Sequence, residues 1–401
     1  MSYDAPFAGL KVVDLSQGIA GPYSAMLLAQ YGADVVKVEP PEGDWARGLG
    51  KKYGDLTAFA VAANLGKRSI VLDLKTEEGK ETVRRLLATA DVFLESFRPG
   101  VAARLGVGYP DVSALNPGII YLSVSGFGQT GPDAERPAVD TVFQAFTGLM
   151  SVNRGADGIP HRVGVIVMDM ATALASFQAM AVALYARRDE PRGRYIESSL
   201  LRGGATIQAV SMIQHHLEGG KPQPGLTPSG TFKASDGWIN LTILRDADFP
   251  ALCEALELPD AKMDPRFATN DLRFANLPAL NAALEPAFAR RTTADLAARL
   301  RAARLMHQRV NTYLEFLDDP QVKATGAVAW IEQPGIGRVP VPHVPGLPPL
   351  RSGTPRAVAP SLDQHRKEIL AELGGGRGGL RGGGTRAEHA PFPEIYRPVQ
   401  D

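Results

Sequence analysis

A single cysteine, Cys253, stands among 401 residues. One thiol allows no disulfide within the chain, no cysteine zinc cluster and no iron–sulfur site. That scarcity suits a reducing compartment, so the expected location is cytoplasmic. Net charge is missing too, because 43 Lys+Arg balance 43 Asp+Glu. A balanced chain lacks the dominant basic footprint that nucleic acid requires. No nucleic-acid partner is expected, while a local basic pocket for a phosphorylated small molecule is compatible with zero net charge. The opening MSYDAPFAGL has no basic stretch followed by an apolar one, so no signal peptide is expected. The most apolar stretch, Met170 to Ala186, is interrupted by Thr172, Ser176 and Gln178. It is too short and too polar to span a bilayer, and a buried helix with no membrane role is expected.

Several motifs are absent as well. There is no G-x-x-x-x-G-K-[ST], no H-E-x-x-H and no G-x-S-x-G. The first glycine loop is G-x-x-G (Gly18, Gly21) with Pro22 directly behind it, not G-x-G-x-x-G. The glycine that lets backbone approach a pyrophosphate is missing, which disfavours NAD despite Glu39 at the end of the next apolar run. His215 and His216 are adjacent, so they do not share a helix face and make a poor metal pair.

What is present is an alternation of short apolar runs and helical patterns. Leu10–Leu15, Asp34–Val38, Ser69–Leu74, Asp91–Glu95 and Ile119–Val124 read as strands, with Tyr23–Tyr31 and Lys80–Ala88 as helices between them. Such alternation predicts parallel α/β units in a Rossmann-like, doubly wound sheet. Residues 140–220 read as mostly helical. A Gly- and Pro-dense linker is expected at 219–230, followed by a hairpin around Ser235, Asp236 and Gly237. Helices of a smaller α+β domain follow at 246–325. A proline-rich extended connection is expected over 335–360, and a last helix over Pro360–Leu373. The division expected is a large α/β domain over 1–220, completed by 335–373, and a small α+β domain over 231–330. Linkers fall at 219–230 and 331–360. From Gly374 to Gly384 glycine fills eight of eleven positions, so the tail over 374–401 is expected to be disordered.

Unusual residues cluster just after the strands. Ser16–Pro22, Glu39–Asp44 with Arg47, Leu74–Lys75, Ser96–Gly100 and Ser125–Pro132 each follow one strand. Turns alone require Gly and Pro, so any single loop carries little weight. Five on one sheet edge point to a ligand site, because open α/β sheets bind ligands beyond the carboxyl ends of their strands.

The segments GLKVVDLSQGIAGPYSAMLLAQYGADVVKVEPPEGDWAR, NLGKRSIVLDLK, DVFLESFRPGVAARLGVGYPDV, YLSVSGFGQTGP, RPAVDTVFQAFTGLMS, VGVIVMDMATAL, DPRFATNDLRFAN and LDDPQV occur in this order from about residue 8 to 373. In order and spacing the chain resembles the family III coenzyme A transferases, a group that includes the formyl-CoA:oxalate and carnitine CoA-transferases. The resemblance implies transfer of CoA from an acyl-CoA to a free acid, with CoA as substrate and no permanently bound cofactor or metal. It also implies an interlocked, ring-like homodimer. The family's nucleophilic aspartate falls in VGVIVMDMATAL, where only Asp169 fits; its alternative role is N-cap of the following helix. A carboxylate can capture the acyl group as an anhydride and then CoA as a thioester, which divides one difficult exchange into easier steps.

By the same resemblance, Gln17, Ala20, Leu72, Leu74, Lys75, Ser96, Phe97, Arg98 and Arg104 are CoA-binding positions, with Ser96 where the family has Asn. Asp140 and Gln144 are expected either to line the pocket or to support the helix that follows. Departures bear on the substrate. Val139 replaces a common Tyr, and Arg304–Thr312 replaces a Gly- and Pro-built turn. No glycine run like that of the oxalate enzymes is present, which disfavours oxalate. His307 and Arg309 stand either as carboxylate ligands or as surface residues. Two rivals are an α-methylacyl-CoA racemase, whose proton-accepting His would occupy the Val139 position, and a non-catalytic acyl-CoA-binding relative.

Overall fold

Runs of consecutive Val, Ile and Leu form strands buried on both faces, because alternate side chains point to opposite sides of a sheet. In the computed structural model, which describes residues 4–155, 157–222 and 225–375, five such strands and a more polar sixth make one parallel sheet. They are β1 (Lys11–Asp14), β2 (Asp34–Glu39), β3 (Arg68–Val71), β4 (Val92–Glu95), β5 (Ile120–Ser125) and β6 (Arg194–Ser199). Their order is β3-β2-β1-β4-β5-β6. Val12, Val35, Leu94 and Ile120 face one core, shared with α1 (Ala20–Gln30). Val13, Val36, Phe93 and Tyr121 face the other, covered by α2 (Glu77–Leu87) through Val83 and Leu87.

β6 lies in the stretch read as helical. RYIESS has one aliphatic residue, carries Arg194 and Glu197, and runs from exposed at its start to buried at its end on the edge of the sheet, so its apolar signal is weak. Around it run α3 (Asp140–Phe146), α4 (Val167–Ala186), α5 (Leu200–Ile207) and α6 (Ala209–Leu217). By length and composition α4 could cross a membrane. In the fold Met168, Met180, Ala183 and Leu184 join the α1 core, while Leu174, Val182 and Tyr185 remain exposed.

A separate core lies beneath the sheet of β7 (Ser229–Lys233), β8 (Trp238–Thr242) and β9 (Met306–Arg309). It is filled from α7 (Phe249–Leu256), α8 (Leu277–Ala289) and α9 (Thr293–Ala302). The hairpin expected around Ser235–Gly237 is β7–β8. β9, with the sequence MHQR, has no β-branched residue to announce it.

The stretch read as an extended connection holds a hairpin instead. β10 (Val328–Gln333) pairs with β11 (Gly337–Pro342), and Ala329, Ile331 and Val341 pack against Met26 and Leu27 of α1. Pro340 and Pro342 fit because β11 has a neighbour on one side only. The chain then returns to β3, where Asp363 accepts the Val71 N–H at 2.7 Å. It ends in α10 (Arg366–Gly375), tied to Arg68 by Glu368 and Glu372. Beyond Gly375 the glycine-rich tail lies outside the described residues.

Charges are buried at the carboxyl end of β1 and β2. Lys37 and Asp44 pair at 2.8 Å, Lys67 and Asp14 at 2.8 Å, and Arg47 grips Glu39 with two nitrogens at 2.7 and 2.8 Å. Burial pushes the Asp14 carboxyl up, but Lys37 and Lys67 overcome it and hold the group below its ordinary value. Removing one partner of a buried pair strands the other charge away from water. Asp44→Ala would leave the fully buried Lys37 without its carboxylate and should lower unfolding free energy by about 3–5 kcal/mol. Urea unfolding at neutral pH measures this, and a loss below about 1 kcal/mol would contradict the role given to the pair.

Candidate functional site

In this strand order the chain reverses direction across the sheet between β1 and β4. The loops after those two strands diverge and leave a crevice. The β1 loop, Ser16–Ile19, is tightly held. Gly18 has φ +82°, and a Cβ there would fall 2.2 Å from the Trp45 ring. Its N–H donates to Asp44 Oδ1 at 2.9 Å, while Lys37 donates to the Ser16 carbonyl. A Cβ on Gly21 would fall 2.4 Å from Ser16 Cβ. The loop therefore enters α1 along one path, and the N–H of Ala20, the first residue of α1, donates to the Asp169 carboxylate.

Asp169 lies in the first turn of α4 and is not its N-cap, a position held by Ile166 without a side-chain bond. The cap comes from another helix. Asp140 Oδ2 accepts the Met168 N–H at 2.7 Å and the Asp169 N–H at 3.3 Å. Gln144, fully buried, donates to Asp140 Oδ1 at 2.6 Å and to the Val165 carbonyl at 3.1 Å, and accepts the Val163 N–H at 2.8 Å. Asp140 and Gln144 therefore stand behind the helix and do not line the crevice. Of the two roles open to them in the sequence, this is the supporting one.

Burial pushes the Asp169 carboxyl up to about 7, and the nearby Asp140 charge adds to the rise. The Ala20 N–H opposes both. A half-buried carboxylate so raised is a stronger base and nucleophile than an exposed one, and it exists in both protonation states near neutrality.

Asp169 opens into a cavity of about 540 Å³. The structure brings Gln17, Ala20, Ser96, Phe97 and Arg98 together with it on that lining. Ser96 Oγ accepts the Gln17 N–H at 2.8 Å, which joins the β1 and β4 loops. Leu72, Leu74, Lys75 and Arg104 are not on the lining. β3 lies two strand spacings from β1, roughly 10 Å. Leu72 is buried in the core, Leu74 packs against it, and Lys75 and Arg104 are exposed. His307 and Arg309 lie on β9 in a separate hollow of about 390 Å³, with Arg309 paired to Glu315 at 3.1 Å. Among the described residues of one chain, they share no cavity with Asp169. A hollow of about 620 Å³ between β7, β8 and α8 contains Lys233 and Glu285, away from the converging strand ends.

Trp45, Arg136 and Val139 line the Asp169 cavity and were not singled out as ligand positions from the sequence. Arg136 follows the β5 loop, and its guanidinium lies 5.3 Å from the Phe127 ring centroid. Trp45 follows the β2 loop. Both obey the same carboxyl-edge pattern that marked their neighbours. Among the described residues no group of three His, Cys, Asp or Glu is placed to hold a metal ion.

The family model for CoA-transferase family III matches residues 7–366. The succinate–glutarate CoA-transferase of Agrobacterium fabrum is 34% identical over 385 residues, which cover 92% of this chain and 96% of that one. The acetyl-CoA:oxalate CoA-transferase of Acetobacter aceti is 38% identical over 297 residues, or 72% and 76% of the two chains. The crystal structure of a CAIB/BAIF family protein from Brucella suis superposes with a TM-score of 0.82 at 35% identity, covering 92% of this chain and all 100% of its own.

A carboxyl whose pKa is higher folded than unfolded adds stability in full below the unfolded value, and that contribution is lost as pH rises to the folded value. For Asp169 the window runs from about 3.8 to about 7. Asp169→Asn should therefore match the parent in melting temperature below the window, gain steadily across it, and hold a constant advantage above it. Asp140→Asn keeps an acceptor for the helix N–H groups but removes the like charge, so the upper end of the window should move down. Melting curves at several pH values test both, and a difference that does not vary with pH would contradict the assignment.

Proposed function

The chain belongs to CoA-transferase family III, and we propose that it moves coenzyme A from an acyl-CoA to a free carboxylic acid through a covalent intermediate on Asp169. The observation that carries this reading is a half-buried carboxyl of raised pKa in a crevice between two helix N-termini. The Asp169 carboxylate attacks the thioester carbonyl and expels CoA thiolate, leaving a mixed anhydride. The thiolate attacks the aspartyl carbonyl and releases the first acid, leaving an aspartyl-CoA thioester. The acceptor carboxylate repeats the sequence in reverse. No water is consumed, so the thioester bond energy is retained. Raised basicity strengthens the first attack, and the Ala20 N–H is placed to stabilise the oxyanions that form on the aspartyl group.

CoA would enter past Gln17 and Ser96. Phe97 would cover the adenine, and Arg98, with Lys75 and Arg104 along the sheet edge, would meet phosphates. Arg136, now paired with Asp133 at 3.4 Å at the cavity rim, would exchange that partner for the far carboxylate of a dicarboxylic acceptor. Names of the relatives support that substrate class, since succinate, glutarate and oxalate are all dicarboxylic acids. An interlocked homodimer is the assembly we propose. Its support is the apolar surface left open on α4 and on α6, where Val210 is 80%, Ile213 61% and Leu217 76% exposed. The racemase alternative lacks support at the cavity, because Val139 offers no atom to accept an α-proton.

Asp169→Asn should bind CoA like the parent and lose transfer activity by at least a thousandfold, on the order expected for loss of a covalent nucleophile. Near-normal turnover of the purified variant would end the assignment. In deuterium oxide, a 2-methylacyl-CoA should gain no α-deuterium above background without an acceptor. With succinate, glutarate or oxalate supplied, CoA should appear on an accepted acid only when enzyme is present. Rapid α-deuteration would place the chain with the racemases. Sedimentation at nanomolar concentration should still give a dimer, and a folded, active monomer there would rule out interlocking.

A further inference from the structure

One buried carboxyl has no part in the chemistry above. Glu95 ends β4 immediately before Ser96, Phe97 and Arg98, and is 3% exposed. Its partners are a peptide N–H and a hydroxyl. Oε2 accepts the Phe97 N–H at 2.8 Å, and the Ser123 hydroxyl, opposite it in the β4–β5 register, lies near enough to favour the ionised carboxyl. Burial pushes the group up to about 7, and neither partner is a cation. A carboxyl kept there at such a desolvation penalty holds geometry that an apolar residue could not.

The contacts around it form a line beneath the cavity. Gln17 is joined to Ser96, Phe97 to Glu95, and Glu95 to Ser123. Ser123 Oγ accepts from Gln129 Nε2 at 2.9 Å, and the Gln129 N–H donates to Glu197 Oε1 at 3.1 Å. Three loops that follow β1, β4 and β5 are thereby connected, and Glu95 is the link between the β4 and β5 sides. We propose that Glu95 is a positioning residue that fixes the Ser96–Arg98 rim against β5 and so sets the affinity of the crevice for the CoA thioester. This rests on the crevice being the acyl-CoA site. Glu95 is absent from the lining that carries Asp169 and Arg136, so the effect falls on the acyl-CoA side.

Three variants of the full chain test this: Glu95→Leu, Ser123→Ala and Glu95→Gln. In steady-state kinetics, Glu95→Leu should lower kcat/KM for acyl-CoA roughly tenfold, the effect of losing a hydrogen bond to a charged group. The value for the acceptor acid should stay within about twofold, near the scatter of a neutral substitution. Ser123→Ala should lose in the same direction, and the Leu/Ala double variant should be no worse than Leu alone, because both break one link. Glu95→Gln, whose amide oxygen still accepts the Phe97 N–H, should recover most of the loss. Should the Leu variant not fold, the Ala variant carries the same test. Equal losses for both substrates, unchanged kinetics, or a Gln variant as impaired as Leu would overturn the proposal. Calorimetry with free CoA separates it from the reading beneath it. A parent that bound no CoA would overturn both, whereas equal binding by parent and variants would overturn the Glu95 role alone.

Discussion

The Lys37–Asp44 pair is the contact on which the site depends. Two opposite charges taken out of water persist only where each is satisfied, and here both also hold backbone: Lys37 the Ser16 carbonyl, Asp44 the N–H groups of Gly18 and Ala46. Replacing the pair with apolar side chains could fill the same volume but could not direct that loop. Because the loop has one path, α1 has one starting point, and the Ala20 N–H meets Asp169. The same glycines that lack the spacing for a dinucleotide fingerprint serve here by letting Ser16 and Trp45 close in.

Asp169 is then set by two opposed neighbours. Asp140 caps α4 and, as the price of that support, places a second negative charge behind the Asp169 carboxyl. Ala20, at a helix N-terminus, favours the ionised form. With burial on Asp140's side, the net is a carboxyl poised near neutrality. Removing either neighbour would shift that balance in a known direction, which makes the arrangement open to measurement residue by residue.

Five of the six strands of the large sheet were legible because Val, Ile and Leu run together where a strand is covered on both faces. Edge strands β6 and β9 were not, since their sequences, RYIESS and MHQR, read as polar. Prolines at 340 and 342 suggested a linker, yet a two-stranded hairpin tolerates them on its outer edge. At the site, the carboxyl-edge rule found the loops that carry Gln17 and Ser96–Arg98. It could not separate Asp140 and Gln144 from the lining, because capping a helix from a distance leaves no local pattern. Glu95 was hidden for a similar reason: inside an apolar strand, one carboxylate reads as the strand's end.

On the proposed mechanism Asp169, held between α1 and Asp140, becomes covalently acylated. Intact-mass spectrometry of the enzyme mixed with acyl-CoA and no acceptor, followed by peptide mapping, tests it most directly. A CoA or acyl adduct on the peptide containing Asp169, discharged when an accepted acid is added and absent from Asp169→Asn, is the predicted result. An adduct of equal yield on the Asn variant, or turnover with no adduct at any time, would contradict it.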